Sequence, residues 1–343
     1  MVAAVETMAW TGDVPWHGEG VKVDPNLTPR EMMVAAGLDW SVSKRPGYTI
    51  DTPTYGDDSG LMQTPSSNFI VRDSDNSILG HCGNNYIPVQ NERIFDFFQK
   101  FAKETNVTME TAGSLRNGKD IWALAKLNGG FELPGGDEIN DYLLFRQPHE
   151  PGHKLLVRDT EIRVVCNNTL QFALGKEAKG EFRMSHIHDF NDDMAREAAI
   201  AVGLMKETTA EFQQTAEFLA KKKAQHSNVL EYIARIYQPA VYEEYEESRR
   251  LKADGKKVGE LTPLRDEFSK FSNLVVDALE QSPGANLNSA KGTWWGALNA
   301  VTYVVDHKKK SQEKGNSLHS AWFGSGAQVK RKALKKALEY AEA

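Results

Sequence analysis

The chain has 343 residues, long enough for about two domains, with 40% hydrophobic and 26% charged residues, the balance of an ordinary globular protein. A net charge of −6 argues against indiscriminate attraction to polyanions, and no apolar run approaches the ~20 residues that a membrane-spanning helix needs. Two cysteines, Cys82 and Cys166, cannot build a disulfide framework, and the first residues lack the basic start and long apolar core of a signal peptide, so a cytoplasmic setting is expected.

Residues 1–60 read as an N-terminal arm dense in Gly, Pro and polar residues, with Trp10 and Trp16 as anchors. Thr28 before Pro29, with Glu31 in the first turn and Gly37 as a stop, predicts a short helix over 29–36 leading into a strand near Trp40–Ile50. Residues 61–187 read as a β-rich core. Asn68–Arg72 and Ser77–Cys82 are extended runs, and Ile94, Phe97, Phe98 and Phe101 recur at helical spacing. Asn117-Gly118 between two strand-like runs predicts a two-residue hairpin, flanked by Arg116 and Lys119, and Pro148, Pro151 and Gly152 mark the loop of a further hairpin. Residues 188–343 read as a helical domain with a basic end. Helices are expected over about 188–223, 229–252, 263–281, 293–308 and 327–342, the first ending at Lys221-Lys222-Lys223. Strands first and helices second make the expected class α+β: a hairpin-rich antiparallel sheet with packed helices, followed by a mainly helical C-terminal region.

Five features could carry chemistry. Cys166, in "TEIRVVCNNTLQFAL", is a nucleophile at a strand-to-helix turn or a packed joint; no partner base is named by spacing, and the joint is the simpler reading. His186 and His188 on a strand would point to one face as metal ligands do, with His149 and His153 as a looser pair. No Cys-x-x-Cys, His-Glu-x-x-His or calcium-loop spacing supports a metal, so no metal or cofactor is expected. Gly324-Ser325-Gly326 ahead of Lys330, Arg331 and Lys332 offers free helix N–H groups to a phosphate without being a Walker loop. Glu243–Glu247 with Arg249 and Arg250 reads as solvated helix ion pairs. The basic residues Arg116, Lys119, Lys126, Arg146, Lys154, Arg158 and Arg163 interleave with Trp122, Phe131, Tyr142 and Phe145, a pattern suited to a single nucleic-acid strand, or to ordinary sheet decoration. Charge is also uneven: residues 291–343 carry ten Lys/Arg and four Asp/Glu, a local +6 against −12 for residues 1–290.

"TMAWTGDVPWHGEGV", "NNYIPVQNERIFDF", "TAGSLRNGKDIWALAKL", "TEIRVVCNNTLQFAL" and "GTWWGALNAVTYVVDH", in that order, resemble the phage/plasmid-like protein family catalogued as a domain of unknown function, number nine-hundred-and-thirty-two. The resemblance implies a phage, prophage or plasmid product acting inside a bacterial cell, and it carries no activity or catalytic residue. In element order alone the chain is also similar to phage single-strand annealing recombinases, which implies oligomers that hold one DNA strand in a basic groove. The expected function is therefore a non-enzymatic, homo-oligomeric protein that binds and anneals single-stranded DNA. Backbone contacts are expected from Arg116, Lys119, Arg158, Arg163, Lys330, Arg331 and Lys332. The alternatives are a regulatory factor acting on a host or phage protein and, third, an enzyme using Cys166 or His188.

Overall fold

The computed structural model describes residues 5–12, 19–51, 60–105, 107–163, 168–170, 181–203, 205–258, 266–308 and 317–343. Strand β1 (Val5–Trp10) and the two-residue β2 (Val21–Lys22) precede helix α1 (Pro29–Ala35) and strands β3 (Val42–Asp51), β4 (Gly60–Arg72) and β5 (Ile78–Cys82). Helix α2 (Asn91–Thr105) leads into β6 (Thr108–Leu115), β7 (Asp120–Leu133), β8 (Asp137–Pro148), β9 (Leu155–Arg163), β10 (Asn168–Leu170) and β11 (Glu181–Met184). The rest is helical: α3 (Asp192–Gly203), α4 (Met205–Lys221), α5 (His226–Tyr237), α6 (Pro239–Ala253), α7 (Asp266–Gln281), α8 (Trp294–Tyr303) running into a π-helical turn (Val304–Lys308), α9 (Ser317–Phe323) and α10 (Ser325–Glu342). The fold is α+β with a helical C-terminal region, as the order of patterns predicts.

The larger sheet has the order β10-β9-β8-β7-β6-β1-β2, with β11 pairing β9 beside β10; the smaller is β3-β4-β5. All described pairs are antiparallel except β1 with β2. Side chains alternate across the central strands. Ile121, Ala123, Ala125, Leu143, Phe145, Leu155 and Val157 pack against α1, α2 and α3, whereas Trp122, Leu124, Tyr142 and Leu144 meet Leu318, Trp322 and Phe323 of α9. Both faces are covered, which is why "IWALA" and "YLLF" read as continuous apolar runs rather than alternating ones. The face of α2 predicted from spacing is buried, with Ile94 and Phe98 at 0% exposure. Each such phenylalanine contributes about 2–3 kcal/mol of burial. A separate helical core joins Phe212, Tyr232, Ile233, Val275, Trp294 and Trp295 to Leu133 and Ile139, so the helices dock on the β7–β8 hairpin end.

The N-terminal helix forms as expected: Thr28 and Glu31 make a reciprocal capping box, Pro29 opens α1, and Gly37 takes a φ of +65°. Several boundaries differ from expectation. Residues 5–10 are not irregular but fill the sheet as β1. The connection at Asn117-Gly118 spans the four residues between the paired Leu115 and Asp120, and Arg116, Asn117 and Gly118 all adopt positive φ. The helix expected over 229–252 breaks at Gln238, held at φ −134° and ψ 64° ahead of Pro239, because a residue before proline is pushed out of the α region. Strand β4 begins at Gly60, earlier than expected, and α9 forms where no helix is expected. Trp16 and Cys166 lie outside the described residues.

Candidate functional site

Of the seven expected cations, the six whose side chains are described fall into several small groups rather than one trough. Arg116 reaches Asp120 at 3.0 Å and also pairs with Glu150, which Lys119 approaches at 3.3 Å. Arg158 is 7% exposed, with Nη2 donating to the Trp322 carbonyl at 3.3 Å and Nη1 at 3.9 Å from Glu181. Burial pulls its pKa down to about 10, still cationic at neutral pH. Lys330 is buried and donates to Asp306 at 2.7 Å. Arg331 lies near both Arg158 and Lys330, which feel its charge. Lys332 donates to the Ile236 carbonyl at 2.9 Å. Arg163 pairs through its backbone with Asn168 and Ile139. The structure thus joins Arg158 to Lys330 and Arg331, joins Arg116 to Lys119 at a different carboxylate, and commits most of them to protein acceptors.

The aromatic half of the expected strand-binding surface also turns inward. Trp122 is 1%, Tyr142 6% and Phe145 0% exposed, and Phe131 packs on Phe212, so these rings serve the core. The glycine turn is filled in the same way. Ser325 and Gly326 are already inside α10, the Gly326 N–H donates to Ser320 Oγ at 3.3 Å, and a Cβ at Gly326 would sit 2.8 Å from the Ser320 carbonyl oxygen. Ser320 of α9 thus takes up the Gly326 N–H that the sequence offers to a phosphate.

Accessible cations lie elsewhere. The end of α4 pairs with the segment before α8: Lys223 bridges Thr293, the Trp294 N–H donates to the Lys222 carbonyl at 3.0 Å, and the Ala224 N–H to the Gly292 carbonyl at 3.0 Å. This sets Lys221, Lys222, Lys223 and Lys291, all exposed, on one corner of the molecule. Lys221 lies 3.6 Å from Glu217, and the Lys222 ammonium sits over the Phe218 ring at 5.1 Å. Lys222, Lys223 and Lys291 have no ion pair among the described residues.

Two further clusters were not legible in the sequence. Asp141 faces Glu161 across the β8–β9 register, with Asp159 two residues before Glu161. Burial raises all three carboxyls, Asp159 to about 7, and Asp141 accepts hydrogen bonds from the Thr209 hydroxyl at 3.1 Å and from the Gly130 N–H. Among the described residues no group of three or more His, Cys, Asp or Glu is arranged to hold a metal ion. The second cluster is a groove of about 700 Å³ between β5 and the loops at 151–154 and 185–187, lined by Cys82, Tyr86, His153, Lys154 and His186 among others. His186 stacks on Tyr86 with centroids 4.8 Å apart and planes 11° from parallel. His188, its expected companion, is exposed. The Cys82 thiol is buried, and that burial pushes its pKa up, so it is no activated nucleophile.

The groove and the lysine corner sit at opposite ends of the large sheet. The groove flanks the loop after Pro148, while Asp137, at the other end of β8, accepts from Ser289 at 2.6 Å and Trp295 Nε1 at 3.0 Å beside the lysines. Twelve residues of extended strand separate the two, roughly 40 Å.

Taken together, these features describe an α+β protein with a helical C-terminal region, a buried ionic interior and no helix among the described residues long and apolar enough to cross a membrane. Comparison with family profiles places residues 78–322 in a domain of unknown function, DUF932, and the chain belongs to that family. No curated protein and no solved structure matches.

Proposed function

We propose that the protein binds single-stranded DNA through the lysine corner at the α4–α8 junction, without making or breaking bonds. The observation that carries this reading is the backbone bridge that holds Lys222 and Lys223 against the segment of Lys291 on a molecule of net charge −6. A local cationic surface on an acidic protein attracts phosphates at short range while the remainder repels them, which favours a defined track over diffuse adhesion. The Phe218 ring beneath Lys222 adds an apolar surface beside the charge. Fluorescence anisotropy of a labelled oligonucleotide tests it. Binding is expected at low salt, and replacing Lys222, Lys223 and Lys291 by Gln should flatten the log–log salt slope by about 2, at ~0.7 per phosphate contact on single strands. Absence of binding at micromolar protein and low salt, or an unchanged slope in the triple variant, overturns the reading.

A second reading, self-association, is favoured by one observation. The β3–β4 ribbon exposes Tyr48, Ile50, Leu61 and Met62 at 53%, 67%, 74% and 54%, and among the described residues β3 is an unpaired edge of its sheet. A second copy could pair along that edge and cover these side chains. Light scattering should then give a multiple of 38.3 kDa that Ile50→Asp with Leu61→Asp returns to the single-chain mass. A single-chain mass for the unmodified protein at high micromolar concentration removes this reading.

A further inference from the structure

The β3–β4 ribbon changes character along its length. Strand β5 supports β4 only as far as Asn68, which pairs with Cys82, so residues 48–51 and 60–63 continue as a ladder of two strands. Two strands alone are marginal in water. Residues directly opposite share a face, and the register sets Ile50 against Leu61 and Tyr48 against Gln63. Tyr48, Ile50 and Leu61 therefore form one apolar face. Leu61 and Ile50 are the two most exposed large hydrophobic side chains among the described residues. Residues 46–50 and 60–68 hold no charged side chain.

A second open surface of the same character lies at the free edge of the large sheet. Strand β2 ends that sheet with no further neighbour among the described residues. A cleft of about 500 Å³ opens there between β1, the start of β2 and the end of α1, lined by Val5, Met8, Val21, Ala35 and Ala36. Val21 is 61% exposed, and Val34, next to Ala35 on α1, is 58% exposed. Glu6 and Glu19 on the wall turn away a phosphate backbone, and Glu6 is itself held by Arg72 at 2.7 Å and by the Ser114 hydroxyl at 2.7 Å. The cleft suits uncharged apolar side chains.

The two surfaces match in chemistry but do not meet within one chain. Arg72 holds Glu6 at the cleft, whereas Leu61 lies eleven residues further out along β4, roughly 35 Å of extended strand. Ile50 and Leu61 accordingly stay open to solvent instead of filling their own molecule's cleft. Only another copy can bring a ribbon there. Each copy carries a net charge of −6, and a contact made from uncharged side chains adds no repulsion of its own.

We propose that the ribbon of one copy seats in the cleft of another, Ile50 and Leu61 against Val21 and Ala35, with the free edge of β3 alongside that of β2. This contact rests on the self-association reading and supplies its second surface. Because the two surfaces are unlike, the contact is heterologous, and copies join ribbon to cleft in a closed ring or an open row. Light scattering on variants of the full chain tests it. Val21→Glu with Val34→Glu changes only exposed positions; it should raise the concentration for half-association at least about tenfold while the thermal midpoint holds. Ile187→Glu with Ile200→Glu adds the same charge at exposed apolar positions elsewhere and should leave association unchanged. The sharpest sample mixes the cleft variant with the ribbon variant Ile50→Asp, Leu61→Asp. Each alone should run at the single-chain mass where the unmodified protein associates, and the mixture should reach twice 38.3 kDa and no more, because one intact ribbon and one intact cleft remain. Should the cleft variant unfold, Val34→Glu alone, at an exposed position of α1, takes its place. A single-chain mass for the unmodified protein removes self-association altogether, and this contact with it. An associating protein whose cleft variant associates equally, or a mixture that stays at the single-chain mass, overturns the ribbon-to-cleft contact alone.

Discussion

At the scale of single residues, several of the protein's ion pairs lie in its interior. Lys330 and Asp306 form a pair exposed at 3% and 4%, and removing one partner strands the other in a low-dielectric interior. Lys330→Met should therefore destabilise by about 3–5 kcal/mol in chemical denaturation, and adding Asp306→Leu should recover most of the loss. A purely DNA-contacting lysine would show neither effect. The buried histidines make a second test. His149, His186 and His319 have pKa values depressed to about 3, 4 and 4, chiefly by burial, so the fold holds them neutral while the unfolded chain titrates near 6.5. Below 6.5 the unfolded state binds more protons, so stability falls as pH drops from there towards about 4. Asp159, raised to about 7, acts in the opposite sense, its protonated form favouring the fold as pH drops through 7. His149→Gln should remove up to about 1.4 kcal/mol per pH unit from the acid-side slope between those limits, measured by denaturant midpoints across pH. None of these partnerships was legible in the sequence, because Lys330 and Asp306 stand 24 positions apart and His149 and Asn91 stand 58. Patterns of spacing report neighbours on one element, not ion pairs across the fold.

At the scale of elements the sequence is far more informative, since caps and periodicity are local. Thr28, Pro29, Glu31 and Gly37 mark α1 directly, and the phenylalanines of α2 mark its buried face. Thr28→Ala should cost about 1 kcal/mol by removing the cap, read as a shift in denaturant midpoint. The β6–β7 turn shows what local rules miss. Asn117-Gly118 announced a turn, but its length follows from a distant strand: Arg72 Nη2 donates to the Asn117 carbonyl at 2.7 Å and Arg72 Nη1 pairs with Glu6 at 2.7 Å. A Cβ on Gly118 would lie 2.2 Å from Arg72 Nη2, at a φ of +83° that disfavours any side chain. Gly118→Ala should destabilise by about 1–3 kcal/mol and loosen β4 from β6–β7 together, visible as faster amide exchange on both sides of the turn. The break between α5 and α6 was written in Pro239, whereas α9 is too short for its periodicity to stand out.

At the scale of the whole molecule, the α+β class was legible because strand patterns precede helical ones, and the placement of cations was not. Basic residues beside strand aromatics fit two arrangements, an open sheet that stacks bases and a covered sheet that ties its layers with ion pairs. Only the packing of α9 against the large sheet selects the second. The lysines that remain available come from α4 and the segment before α8, joined by a backbone bridge that no periodicity announces.

The length of β8 carries one more consequence. With the groove beside β5 and the lysine corner at its two ends, no small molecule spans both, and a charge held at one end lies several Debye lengths from the other.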